Sequence, residues 1–222
     1  AASDVYKRQE LAQAAGLKNL TYVISVSESH NKANINRTHD QSFEELRRIR
    51  ESFPELQLCI GMATTFGCPF EGIPDLDKVL RFVERIRSCD VDTVYLADTI
   101  GIADPAQVRR TVKSIIERFP DTKMQVHIHD TRGMGLVNTL AAIEAGVDTV
   151  QSTLGGLGGC PFAPGASGNT ATEDLVYMLQ RMGYDTGIDF ERLLALSKEQ
   201  HAEIDGIYSG HQMNIAAKSP CC

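Results

Sequence analysis

The sequence lacks any apolar run approaching the roughly 18 residues of a membrane-spanning helix, so a membrane is not an expected partner. It also lacks a basic excess: 22 Lys and Arg stand against 29 Asp and Glu, a formal net charge of −7 at pH 7. Nucleic acid is not expected either, because its binding needs a basic patch. Cysteine pairing is missing as well. Cys59, Cys68, Cys89, Cys160, Cys221 and Cys222 are scattered, with no Cys-x-x-Cys among them. No secretory leader is expected from the first nine residues, where Lys7 and Arg8 precede no apolar stretch. That usage reads as a reduced, cytoplasmic enzyme rather than a disulfide scaffold or a zinc ribbon. The Gly-x4-Gly-Lys-Ser/Thr pattern of a P-loop is absent too. What is present is ordinary globular composition, 42% hydrophobic and 23% charged, in a chain long enough to bury a core without disulfides.

Five apolar runs rich in β-branched residues read as strands, over 20–26, 56–61, 93–97, 124–129 and 149–153. Helical patterns separate them. Thr38 and Gln41 form a capping box that opens a helix toward Ser52. Pro74-Asp75 opens a stretch in which Val79, Phe82, Val83 and Ile86 recur at helical spacing. Asp104-Pro105 supplies an N-cap and a proline at the first helical position, for a helix ending near Phe119-Pro120. A shorter helix over 136–144 stops at Gly146, and two more follow near 171–182 and 190–207. The lead-in Val91-Asp92-Thr93-Val94 returns two units later as Val147-Asp148-Thr149-Val150. Repeated βα units predict an α/β protein with a parallel sheet, either doubly wound or a (β/α)8 barrel, and five strands are three too few to close a barrel.

In such architectures functional groups gather at the C-terminal ends of strands. Strand two runs out into Thr64-Thr65-Phe66-Gly67-Cys68-Pro69, strand three ends at Asp98-Thr99, and strand four ends in His127-Ile128-His129-Asp130. Residues two apart on a strand share a face, so His127 and His129 can reach one cation or one substrate group. The alternative is a pair of rim histidines satisfied by hydrogen bonds. Asn169, closing the loop that follows strand five, is the best candidate for a further oxygen donor. Two imidazoles and an oxygen suit Mg²⁺, Mn²⁺, Co²⁺ or Zn²⁺ alike.

That loop holds six glycines in the fifteen residues 155–169, with Cys160 near its centre. A glycine-rich loop offers no core for a buried thiol, so Cys160 reads as a nucleophile or proton carrier, whereas Cys59 and Cys89 read as small buried hydrophobes. Asp98 is either a rim carboxylate or the cap of an Asx turn. Glu173 lies in the first turn of a helix, where the helix dipole alone favours an acidic side chain. Glu28, just past the first strand, is a rim residue with no specific motif.

Taken together, Asp98-Thr99-Ile100-Gly101, Val126 to Thr131, and Gly156-Leu157-Gly158-Gly159-Cys160-Pro161 leading to Gly165-Ala166-Ser167-Gly168-Asn169 resemble the 3-hydroxy-3-methylglutaryl-CoA lyase family. Asn34-Ile35-Asn36, Gly67 to Gly72 and Ala171 to Met178 are similar as well, and the likeness extends from about Glu10 to Leu196. The Gly-Cys-Pro loop ending in Gly-Asn favours these lyases over the related Claisen-condensing synthases. The resemblance implies a (β/α)8 barrel with a divalent cation, Mg²⁺ or Mn²⁺, held by His127, His129 and Asn169. It implies Cys160 as the acid/base on a mobile loop, supported by Asp98 and Glu173. The implied reaction is cleavage of an acyl-CoA substrate, 3-hydroxy-3-methylglutaryl-CoA, to acetyl-CoA and acetoacetate, a step of leucine degradation; a homodimer is compatible with it. Cleavage or condensation of another branched 3-hydroxyacyl-CoA or 2-oxo acid, and an inactive fragment, are the alternatives.

The Arg-Asp pair of the family's first strand and the Glu of its second have no counterpart here. The expected architecture is therefore a partial TIM barrel, roughly strands four to eight plus C-terminal helices. Residues 1–9 are an unmatched segment, and 10–222 form the C-terminal part of a lyase domain.

Overall fold

The computed structural model describes residues 15–159, 162 and 168–215. Strands β1 (Asn19–Ser25), β2 (Gln57–Ala63), β3 (Thr93–Asp98), β4 (Met124–Ile128) and β5 (Thr149–Gln151) pair in parallel in chain order. Between and after them come helices α1 (Glu28–Ile35), α2 (His39–Ser52), α3 (Leu76–Arg87), α4 (Pro105–Arg118), α5 (Gly135–Glu144), α6 (Thr172–Arg181) and α7 (Phe190–Glu203). Every neighbouring pair of strands is joined through helix, the connection that parallel strands require. The architecture is the partial α/β barrel that the sequence predicts.

Local signals set most boundaries. Thr38 and Gln41 close the capping box on α2, and Asp104 caps α4 ahead of Pro105. Asp75 is the N-cap residue of α3, without a side-chain capping bond. One helix, α1, is not anticipated by periodicity. It buries only His30 and Asn31, so its apolar pattern is weak, and its sequence signal is Ser27, whose hydroxyl accepts from the His30 amide. The last helix stops at Glu203, short of the expected 207, because Ile204 turns to an extended backbone. The fifth strand ends at Gln151, also earlier than expected, and gives way to a 3₁₀ turn at Leu154–Gly156.

The two faces of the sheet differ. Tyr22, Ile24, Leu58, Ile60, Met62, Val94, Leu96, Val126 and Ile128 are buried against the helices and make up the centre of the core. Full burial of each aliphatic side chain among them stabilises the fold by about 1.5–3 kcal/mol. The alternate residues Thr21, Val23, Cys59, Tyr95, Gln125, His127 and Gln151 lie on the other face and are half-buried or exposed. Cys59 thus belongs to this half-buried face and not to the core, whereas Cys89 is buried as expected. Strand register aligns one row across this face at its C-terminal end. Ser25 pairs with Ala63, Ala97 pairs with His127, and His127 pairs with Gln151. Ala63 and Ala97 follow the Met62–Leu96 pair by one residue, which places all five in a single layer.

Candidate active site

The two histidines of strand β4 come together as their spacing requires. Their Nε2 atoms are 3.1 Å apart and the ring centroids 5.0 Å. Across the β4–β5 pair, His127 Nδ1 lies 3.1 Å from Gln151 Oε1, and the Gln151 amide in turn donates to Gln125 Oε1 at 2.9 Å. A carbonyl oxygen only accepts, so the proton of His127 is on Nδ1 and its Nε2 carries a lone pair. Burial depresses both imidazoles below their ordinary range, His129 to about 4, so both are neutral at pH 7. The neighbouring ring of His127 adds to the depression at His129. His129 Nδ1 is buried without a hydrogen bond of regular geometry, although a backbone interaction with Thr99 favours a proton on that ring.

Asn169 is brought to the same place. Its backbone forms an antiparallel bridge with His129, and Asp130 donates to the Gly168 carbonyl at 2.8 Å. The Asn169 amide donates to the Leu157 carbonyl at 3.0 Å, and its side chain also hydrogen-bonds His127. Gly155, Gly156 and Gly158, with φ of +67°, +66° and +140°, give the start of the loop a backbone that only glycine adopts without strain. A Cβ on Gly158 would run into the Asn169 amide.

These residues fit a divalent cation. Two ligands about 2.1 Å from one ion at an octahedral right angle stand about 3 Å apart, the separation of the two Nε2 atoms. A ligating imidazole also holds its other N–H on a carbonyl, as His127 does with Gln151. Among the described residues no third His, Cys, Asp or Glu joins the pair. The amide of Asn169 is the donor at hand.

The two carboxylates go elsewhere. Ala97 shares the face of His127, so Asp98 points to the opposite side, where it is fully buried. Its oxygens accept from the Ile102 and Ala103 amides at 3.0 and 3.1 Å, the turn-capping role. Burial raises its pKa to about 6 against the pull of those amides. Glu173 is also fully buried and accepts from the Gly155 amide and the Ser197 hydroxyl, both at 2.9 Å. It ties the base of the glycine loop to α7. Glu28 is exposed, and its carboxylate accepts from the His39 amide at 3.3 Å. Cys160 lies outside the described residues, as do the first nine residues and the Cys221-Cys222 tail.

The sequence reading missed Gln151, Ser25 and His30. Gln151 is marked only by its alternation with Val150 on a three-residue strand. Ser25 and His30 pair at 2.7 Å through Oγ and Nδ1, and no short motif announces them.

Fold and site together define a parallel α/β barrel chain with a neutral imidazole pair at the C-terminal mouth of its strands. The chain belongs to the HMGL-like family, whose model matches residues 3–199. It is 38% identical over 191 residues to the hydroxymethylglutaryl-CoA lyase YngG of Bacillus subtilis, covering 85% of this chain and 64% of that protein. It is 40% identical over 190 residues to the (R)-citramalyl-CoA lyase of Chloroflexus aurantiacus, covering 85% and 60%. The solved structure of an HMG-CoA lyase from Acinetobacter baumannii, in complex with coenzyme A and 3-methylmalate, superposes with a TM-score of 0.85 at 40% identity, over 96% of this chain and 72% of that one. The chain spans about three-fifths of the length of the curated relatives it matches. Among the described residues no helix is long and apolar enough to cross a membrane.

Proposed function

We propose that the chain carries the cation-binding and loop half of a carbon–carbon lyase that cleaves 3-hydroxy-3-methylglutaryl-CoA to acetyl-CoA and acetoacetate. The observation that carries this reading is the pair of neutral imidazoles, Nε2 to Nε2 at 3.1 Å, with one tautomer fixed by Gln151. His127, His129 and Asn169 would hold the cation, Mg²⁺ or Mn²⁺. When bound, the cation supplies Lewis-acid stabilisation of oxyanion charge.

The chain's own residues do the rest. Burial keeps both imidazoles neutral at pH 7, so neither ring carries a charge that would repel a cation. The glycine loop, anchored by Glu173 at one end and by the Asn169–His129 bridge at the other, carries Cys160. The Cys160 Sγ would exchange a proton with the substrate. Asp98 acts as a positioning residue: it shapes the turn after β3, whose Thr99 interacts with His129. A cytoplasmic location accompanies this reading.

A second reading has its own support. The (R)-citramalyl-CoA lyase relative and the 3-methylmalate complex both stand at 40% identity, so cleavage of a citramalyl-type CoA ester is the alternative substrate choice. The test is Mn²⁺ titration followed by assay of both CoA esters. Cation binding by the chain that is lost in His127→Ala and His129→Ala is expected, and, in an intact parent that also supplies the missing strands, acetyl-CoA release from one ester in a Cys160-dependent manner. Cation binding unchanged by both substitutions overturns the ligand assignment. Release of pyruvate in place of acetoacetate selects the second reading.

A further inference from the structure

His30 is a buried polar group that the proposed chemistry leaves unused. It is 1% exposed, its Nδ1 is held by Ser25 Oγ at 2.7 Å, and its Nε2 is buried with no hydrogen-bond partner. A buried polar atom left unpaired is destabilising, so its presence calls for a partner. Its surroundings belong to the mouth. The ring packs 4.2 Å from that of Phe162, two residues from Cys160 in the glycine loop, and 6.2 Å from Phe70 in the turn after β2. Ser25 stands on the same face and in the same layer as His127, three strands away. At about 4.8 Å per strand that is about 14 Å of sheet. Between them the layer carries only Ala63 and Ala97, the smallest side chains that a strand can offer without becoming glycine. These small side chains form a continuous row from the Ser25–His30 corner to the histidine pair.

We propose that His30 is a substrate-recognition residue: its Nε2 hydrogen-bonds an amide in the pantetheine arm of a CoA thioester that lies across Ala63 and Ala97 toward His127 and His129. The inference rests on the thioester substrate proposed above. Burial disfavours the charged imidazole, which matches a neutral partner in place of a carboxylate. An amide presents both a carbonyl and an N–H, so it satisfies Nε2 in either tautomer that the Ser25 bond permits. The distance suits a ligand whose amides lie several bonds from the reacting thioester. Phe162 packs over the His30 ring beside this bond.

The test uses the full chain with acetyl-CoA as probe, by calorimetry and by ¹⁵N NMR of the histidine rings. His30→Phe keeps a ring against Phe162 and removes the nitrogen; His30→Ala removes both. Acetyl-CoA affinity is expected to fall about three- to tenfold in His30→Phe, with Mn²⁺ binding unchanged. The Nε2 resonance of His30 should move on saturation with acetyl-CoA. Equal affinity of His30→Phe and wild type, with loss only in His30→Ala, overturns the inference and leaves ring packing as the role of His30. A wild-type chain that binds Mn²⁺ but no acetyl-CoA overturns the thioester reading and this inference with it. If His30→Phe does not fold, the Nε2 resonance of the unaltered chain decides: a fixed resonance in the acetyl-CoA-saturated protein is the overturning result.

Discussion

The Nδ1 atom of His127 donates to the side-chain carbonyl of Gln151 across the β4–β5 pair, and this bond turns the Nε2 lone pair of His127 toward His129. Replacing Gln151 by Leu removes the acceptor and frees the tautomer. Mn²⁺ affinity should drop about 10- to 100-fold, the usual cost of losing such a partner, with the fold retained. An EPR titration of free Mn²⁺ checks it, and undiminished affinity would sink the tautomer assignment.

Gly158→Ala is expected to act on the same site from the loop. The added methyl meets the Asn169 amide, and the backbone there has φ of +140°. Roughly 1–3 kcal/mol of stability should be lost, together with cation affinity. Urea unfolding paired with the Mn²⁺ titration measures both. Loss of stability alone would show that Asn169 contributes nothing to cation binding.

Glu173→Ala leaves the Gly155 amide and the Ser197 hydroxyl without their buried acceptor. A loss of about 2–4 kcal/mol is expected, against about 1 kcal/mol for Ser197→Ala, which removes one donor and keeps the other bond. Chemical denaturation of the two variants compares them directly. Equal, small effects would mean that the carboxylate is not the tie between the loop and α7.

Asp98 sets a pH dependence. Its pKa rises from 3.8 to about 6 on folding, chiefly through burial. A raised folded-state pKa contributes stability that is complete below the unfolded value and is lost as pH climbs through about 6. Relative to Asp98→Asn, which cannot titrate, wild type should lose about 2 kcal/mol between pH 4 and pH 7. Urea curves across that range give the difference, in which the titration of the histidines cancels. Parallel profiles for the two proteins would contradict the shift.

Much of the fold was legible because its signals are local. The capping box at Thr38, the Asp104-Pro105 start and the apolar runs of β1 to β4 depend on neighbours a few residues away, and each element formed where its signal stood. Helix α1 escaped because a helix that buries only two side chains has no apolar stripe to read. The end of α7 was overestimated because Ile204 and Ile207, exposed in the structure, continue its apolar pattern beyond the last helical residue.

The sequence by itself determined that five βα units follow one another, that two histidines share a strand face, and that a glycine loop ending at Asn169 follows β5. Period-two alternation and backbone freedom are properties of single segments. Only the tertiary structure decided which groups meet. Register between strands separated by a whole helix turned Asp98 away from His127 and set Gln151 beside it. The same register placed Ser25, and with it His30, in the layer of His127. Packing then drew Glu173 beneath the loop. These outcomes depend on how distant strands align and where each side chain finds room, and no local pattern in the chain encodes that alignment.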